Sequence, residues 1–419
     1  MSIAVGADGT AVAGPRLAIK SLRGGLLWLT GLAGAFVFIE PSPYELVALG
    51  TMFVFAVTGL SLRPALSPLI LLLVFLNIGY AMAVVQVSDE SKPVIWVLVS
   101  IFLSATAIFF AAMLGGDTER RLKWLMRGYI AAAVIASLVA IAAYFHLFGE
   151  RSETFLLYGR ARGTFNDPNV LGAFLVLPAL LMVQRMLADR LSQILSAAIV
   201  FLILMGGLFL SFSRAAWGQF AFAGLVLMAL TFITSRSASE RLRIVLIAIL
   251  GLVLMAVFVA ALLSIEQVAE LFKERATLEQ SYDVGHYGRF GRYMLGVELG
   301  LERPFGLGPL QFTRIFPEDP HNSYLNSFMT GGWLAGFSYL TLTAVTLIMG
   351  LRFAFVTTPW RSIYLAVYAA YVGVAGESAI IDSDHWRHYF LILGILWGLM
   401  AVSQAYLRAV ARAPSSAPA

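Results

Sequence analysis

The chain has no cysteine and only five histidines among its 419 residues. The first absence removes disulfides, thiolate metal ligands and cysteine nucleophiles; it suits any compartment and identifies none. Charge is scarce too. Asp, Glu, Lys and Arg make up 13% of the residues, against roughly a quarter in a soluble chain. Apolar residues fill the difference at 59%. Stretches near the roughly 20-residue length of a bilayer span recur from residue 25 to residue 410, leaving no segment large enough for a separate soluble domain.

About twelve transmembrane helices are expected, near residues 25–39, 44–60, 66–86, 93–114, 125–146, 168–185, 191–211, 215–234, 242–264, 323–350, 362–380 and 388–407. The fold class is an all-α polytopic membrane protein. A tail over 1–24 precedes a single transmembrane domain over 25–410, and a second tail covers 411–419. The first span follows Arg16, Lys20 and Arg23 and ends in Glu40-Pro41-Ser42-Pro43 without a small-residue cleavage site. It therefore reads as an uncleaved helix and not as a signal peptide.

The net charge of +5 matters less than its distribution. One set of loop and tail positions holds seventeen Lys and Arg residues, against three (Lys92, Arg214 and Arg387) in the short connections of the other side. The positive-inside rule then puts both termini in the cytoplasm. It leaves two longer segments outside, about 147–167 and 265–321. The second is a large periplasmic loop between helices 9 and 10.

The outer face collects the unusual residues. Arg160-Ala161-Arg162-Gly163-Thr164-Phe165-Asn166-Asp167-Pro168-Asn169 closes the first long segment, with Asp167 and Pro168 as a helix start. Ser211-Phe212-Ser213-Arg214 is a very tight turn between apolar helices. In the second long segment, Val268, Leu271, Phe272 and Leu278 suit an amphipathic helix lying on the membrane. Arg289, Arg292 and Pro304-Phe305-Gly306-Leu307-Gly308-Pro309 follow. Glu318-Asp319-Pro320-His321-Asn322 offers a second Asp-Pro start, which puts His321 in the first turn of a helix whose dipole favours neutral imidazole. Last come Glu377 and Asp382-Ser383-Asp384-His385-Trp386-Arg387-His388.

Arginines close to hydrocarbon are costly and are functional candidates by default. Their guanidinium forks match phosphate oxygens, and helix N-termini also favour anions. A phosphate or diphosphate near the membrane surface is the ligand this pattern suggests. His321 is the candidate general base. The outer acids and histidines show no metal-ligand spacing and no H-E-x-x-H.

Three stretches, R-G-T-F-N-D-P-N at 162–169, S-F-S-R at 211–214 and the run from Arg289 through P-F-G-L-G to P-H-N-S-Y-L at 320–325, resemble the O-antigen ligase / polysaccharide polymerase family. The resemblance covers roughly residues 120–400. It implies a metal-independent, inverting membrane glycosyltransferase of the bacterial inner membrane, with no cofactor and no nucleic-acid partner. The donor would be a glycan on undecaprenyl diphosphate, presented at the periplasmic surface. The acceptor would be lipid A–core for a ligase or another lipid-linked glycan for a polymerase. The resemblance makes His321 the base on the acceptor hydroxyl, and gives Arg162 and Arg214 the diphosphate. A third arginine is expected at Arg289 or Arg292. Asn322, Asp384, His385 and Arg387 remain secondary candidates. Each residue also has a purely structural alternative: snorkelling for Arg214, pairing with Glu150 or Glu153 for Arg162, capping for His321, and an interfacial anchor for the 382–388 segment. Gly332 and Gly336 read as small-residue helix packing. Transport of a lipid-linked or anionic solute is the reading from another class; it would call for inverted repeats, broken helices and mid-membrane charges.

Overall fold

The computed structural model of the protein describes residues 15–188, 191–276 and 288–412. The tail residues 1–14 and 413–419, Arg190, Leu278 and the side chain of Arg289 lie outside the described residues.

Fourteen α-helices are described. The first five are α1 (Pro15–Ala33), α2 (Pro43–Gly59), α3 (Ser67–Val84), α4 (Ser91–Met113) and α5 (Thr118–Tyr144). After them come α6 (Pro168–Ala188), α7 (Leu191–Leu210), α8 (Arg214–Thr234) and α9 (Ala238–Leu263). Two shorter helices, α10 (Glu266–Ala276) and α11 (Arg289–Glu302), lead to α12 (Ser323–Ala354), α13 (Arg361–Glu377) and α14 (Arg387–Arg412). Nine of these, α3 to α9, α12 and α14, are long and apolar enough to cross a membrane. The three other expected spans fall on α1, α2 and α13. The first carries three cations, and the other two have 17 residues each, about 26 Å of helix against a hydrocarbon core of about 30 Å.

The helix starts follow local chemistry. Ser42 caps α2 in a capping box: its Oγ accepts from the Tyr44 N–H (3.3 Å), and Glu45 accepts from the Ser42 N–H (2.6 Å). Pro168 opens α6, and Asp167 accepts from the Asn169 N–H (2.6 Å), as the Asp-Pro pair predicts. Ser213 caps α8 by accepting from the Ala216 N–H (3.3 Å). The second Asp-Pro pair does not start a helix. Asn322 takes the cap position of α12, its side chain accepting from the Leu325 N–H (3.0 Å). His321 sits before it at φ +49°, outside the helix, so the dipole expected to act on its imidazole is not its own.

Small residues let the spans approach closely, as they must where lipid gives no hydrophobic drive for helices to associate. On α1 and α5, Gly31 and Gly128 each leave no room for a Cβ against the other helix's backbone. Gly79 of α3 meets Ala335 of α12 in the same way, and Gly394 and Gly398 of α14 lie against Ala107 and Ala111 of α4. By contrast, α9 buries almost none of its surface. The segment after it does not lie free on the membrane: Val268 of α10 is fully buried, and Phe272 stacks on Phe209 and Trp217.

The long helix α12 is broken. At Gly332 the backbone turns to φ +67°, ψ −164°, and the freed groups are taken up by the loop after α11. The Leu307 N–H donates to Met329 C=O (2.6 Å), and the Trp333 N–H donates to Pro304 C=O (2.9 Å). A Cβ on Gly332 would collide with that Pro304 carbonyl. The 32 residues of α12 would extend about 48 Å as one helix, well beyond a bilayer. From Trp333 onward the remaining length matches a span. The first turns, with P-F-G-L-G packed against them, form a separate layer before that span.

Because Gly332 occupies a backbone region that only glycine adopts at low cost, Gly332→Val adds about 1–3 kcal/mol of strain to a steric clash. We expect a clear fall in melting temperature in detergent. Gly224→Ala, where a Cβ meets nothing within 4 Å, should leave it unchanged. Equal melting temperatures for the two variants would show that the break carries no structural load.

Candidate functional site

The loops that end α1, α5, α7, α11 and α13 meet on one face. Its centre is the join between the start of α12 and the connection from α13 to α14. Ser323 ties them: its N–H donates to Ser378 C=O (2.8 Å), its hydroxyl donates to Ile381 C=O (3.0 Å), and its Oγ accepts from the Ser383 N–H (2.7 Å). Ser383 and Ser378 hydroxyls continue the network at 2.5 Å. That clamp brings Asp382 to the residues before α12. Its Oδ1 accepts from the Asn322 N–H (3.0 Å), and its Oδ2 lies 3.3 Å from His321 Nδ1.

A histidine bonded through Nδ1 to a carboxylate keeps Nε2 as its acceptor, the arrangement a general base needs. The His321 side chain is 38% exposed, so substrate can reach it. Burial pushes the Asp382 carboxyl above the ordinary aspartate range; the hydrogen bond from His321 opposes the shift, and Asp384 nearby adds to it. Asp382 lies 61 positions from His321, and in the sequence it stands with its neighbours 384–388 instead. The pairing becomes legible only once the start of α12 and the end of α13 are known to touch.

Arg292 supports this centre from behind. It is 1% exposed, donating to Asp319 C=O (3.0 Å) and to Glu318 Oε2 (2.8 Å). It thereby fixes the two residues before Pro320-His321. The Tyr293 hydroxyl reaches His321 C=O (2.9 Å) and Ala379 C=O (3.2 Å), spanning both sides of the join; nothing in the sequence singled it out. Arg289 begins α11, whose N-cap Gly288 supplies no side-chain hydrogen bond.

The two other motifs form a second cluster. A short antiparallel pair, Leu156–Leu157 with Arg160–Ala161, turns at Tyr158 and Gly159, both at positive φ. From it, Arg160 donates to Ser211 C=O (2.8 Å) and Asn169 Oδ1 (2.8 Å), joining R-G-T-F-N-D-P-N to S-F-S-R. Arg214 stands at the first position of α8 directly after that turn, half-buried. Arg162 does not pair with Glu150 or Glu153. Its guanidinium donates to Thr154 C=O (2.9 Å) and Asn166 C=O (3.3 Å) and lies over the Phe38 ring (4.8 Å). It makes no hydrogen bond to the His321 cluster.

The secondary candidates are held by the scaffold. Asn322 caps α12, and Asp384 is buried and accepts from Asn326 Nδ2 (3.0 Å). His385 packs against Trp96 with the rings tilted by 32° (3.8 Å between ring centres). Arg387 is clamped by Glu45 (2.6 Å) and Glu40 (3.2 Å), tying the start of α14 to the first turn of α2 and to the α1–α2 loop. That same loop carries Phe38, so Arg387 and Arg162 grip it from two sides. Among the described residues no group of three or more His, Asp or Glu is placed to hold a metal.

Residues 198–340 match a family model described as O-antigen ligase. The match runs from α7 into α12 and includes S-F-S-R, the P-F-G-L-G loop and His321, while Arg162 and Asp382 lie outside it. No curated protein matches the chain. Through its segment 198–340 this multi-pass membrane protein is similar to the O-antigen ligase family.

Proposed function

We propose that the chain is an O-antigen ligase, an inverting and metal-independent glycosyltransferase of the inner membrane. It transfers a glycan from undecaprenyl diphosphate to lipid A–core on the periplasmic face. The observation that carries this reading is the His321–Asp382 pair, whose histidine stands just before α12 in the matched family segment and whose aspartate comes from the α13–α14 connection outside it.

In this reading His321 Nε2 takes the proton from the acceptor hydroxyl, and Asp382 stabilises the imidazolium that forms. The acceptor oxygen attacks the anomeric carbon from the face opposite the diphosphate. The bond from that carbon to the diphosphate oxygen breaks, and undecaprenyl diphosphate leaves with the electron pair. Negative charge grows on the leaving oxygen as that bond breaks. Arg162 and Arg214 offset it, the role in which preorganised charge contributes most to rate. Arg289 is the third arginine. It stands at an uncapped helix start that favours an anion, whereas two of the three Arg292 nitrogens are already engaged by the 318–319 loop. The seventeen-to-three bias of cations supports both termini in the cytoplasm and the site in the periplasm. Transport loses support from the break in α12, because its freed carbonyl and N–H are bonded to the chain's own 304–307 loop rather than lining a binding cavity.

Surface glycolipids from a deletion strain complemented with wild type, His321→Ala or Asp382→Asn test the assignment. With the undecaprenyl-linked pool analysed in parallel, a ligase deletion gives bare lipid A–core and long glycan stranded on its carrier. His321→Ala should reproduce that pattern. Asp382→Asn should lower turnover of purified protein by about 10²–10⁴-fold. Core capped with a single repeat unit would assign a polymerase instead, and restoration of the wild-type ladder by His321→Ala would remove the histidine from the mechanism.

Turnover also needs Asp382 ionised, and burial raises its pKa, so turnover should fall on acidification. The stability contribution has the opposite sign. Between an unfolded aspartate's pKa of about 4 and the raised native value, the native state holds more protons than the unfolded one. Stability from Asp382 therefore rises as pH falls through that window. The melting temperature of wild type minus that of Asp382→Asn should increase as pH is lowered, while wild-type turnover declines. A difference that shrinks on acidification would contradict the burial of this carboxylate.

A further inference from the structure

On the face opposite His321, a cavity of about 410 Å³ opens between α1 and the α4–α5 turn. Lys20, Arg23, Arg120 and Arg121 line it, with Asp117 as the one acid and Trp124 as its aromatic wall. Among the described residues none of the four cations forms an ion pair. Arg23 is held by Thr58 Oγ1 (2.7 Å) and Gly59 C=O (3.1 Å), and Arg121 by Met113 C=O (2.5 Å). Both guanidiniums lie over one ring, that of Phe55, at 4.9 and 5.4 Å. Neutral partners thus fix two like charges close together. Lys20 and Arg120, exposed at the mouth, make no hydrogen bond with any described residue.

Such convergence is unfavourable until an anion enters. The depth of the cavity in the bilayer says which anion. It lies where α4 ends and α5 begins, at Met113 and Thr118, and α1 exposes Leu22 and Leu29 beside it. Charge at the mouth and apolar surface alongside suit an amphiphile rather than a free ion, and basic pockets between spans are where acidic headgroups settle. We propose that this cavity seats the phosphate of an anionic glycerophospholipid, with Lys20, Arg23, Arg120 and Arg121 as its ligands. The site is independent of glycosyl transfer and stands on the other face of the protein.

The test uses the full chain purified in neutral detergent. Its melting temperature is followed while phosphatidylglycerol, phosphatidylcholine or inorganic phosphate is added. Lys20→Gln/Arg120→Gln removes two ligands that make no hydrogen bond or ion pair with any described residue. Arg352→Gln/Arg408→Gln removes equal charge from exposed positions that do not line the cavity. Phosphatidylglycerol should stabilise wild type and the control saturably, and the Lys20/Arg120 variant should need about tenfold more lipid or beyond for half the effect. The same titration for that variant as for wild type would overturn the proposal. So would equal stabilisation by phosphatidylcholine, while inorganic phosphate matching the lipid at equal concentration would make this a free-anion site instead.

Discussion

At Gly332 two backbone groups that an unbroken helix would pair with each other are handed to another part of the chain. Met329 C=O takes the Leu307 N–H, and the Trp333 N–H takes Pro304 C=O. Near hydrocarbon an unpaired backbone group costs several kcal/mol, so irregular backbone survives there only when protein re-satisfies it. The exchange therefore fixes the P-F-G-L-G loop to α12. With that loop in place, α11 is positioned over the start of α12, and Arg292 and Tyr293 reach the residues around His321. Glycine is required twice: Gly332 makes the turn, and Gly306, at φ +73°, lies against the Gly332 N–H with no space for a Cβ. Two sequence features twenty-odd residues apart are one structural device.

The second dependence is electrostatic. Most of the motif-face arginines serve backbone carbonyls or carboxylates of loops that would otherwise lack partners at the bilayer surface. Arg160 grips the 211 turn, Arg292 the 318–319 segment, and Arg387 the α1–α2 loop through Glu40. A guanidinium has five donors and stays charged. It can hold a loop with two of them and still lend its charge to a ligand. The division between structural and substrate-binding arginine is thus one of degree. In the matched segment Arg292 stands at the structural end, being buried with two of its three nitrogens engaged.

The sequence made some of this legible and hid the rest for physical reasons. Spans and their order follow from runs of apolar residues, because hydropathy is a local property. Asp167-Pro168 was readable as a helix start, since capping acts within three residues. Asp319-Pro320 carried the same signal and misled, because Asn322 offered a competing cap nearer the apolar run and His321 took a positive φ. The His321–Asp382 pair depends on contact between helix ends sixty residues apart in sequence, which no local pattern encodes. The helix break looked like a packing glycine for a related reason: the groups that complete it come from residues 304–307.

The two faces handle positive charge differently, and the contrast bears on what each can bind. On the His321 face carboxylates stand among the arginines: Glu40 and Glu45 hold Arg387, Glu318 holds Arg292, and Asp382 faces His321. Net attraction for an anion is modest there, and binding must come from placed donors that single out one phosphate geometry. That suits a step in which charge appears on one leaving oxygen. In the cavity on the opposite face four cations meet one acid and no ion pair among the described residues. A permanent, poorly discriminating attraction for acidic headgroups follows, and it needs no precise donor geometry. In the proposed reading the first arrangement acts through placed donors on charge that develops as the bond breaks, and the second holds a group that is already charged.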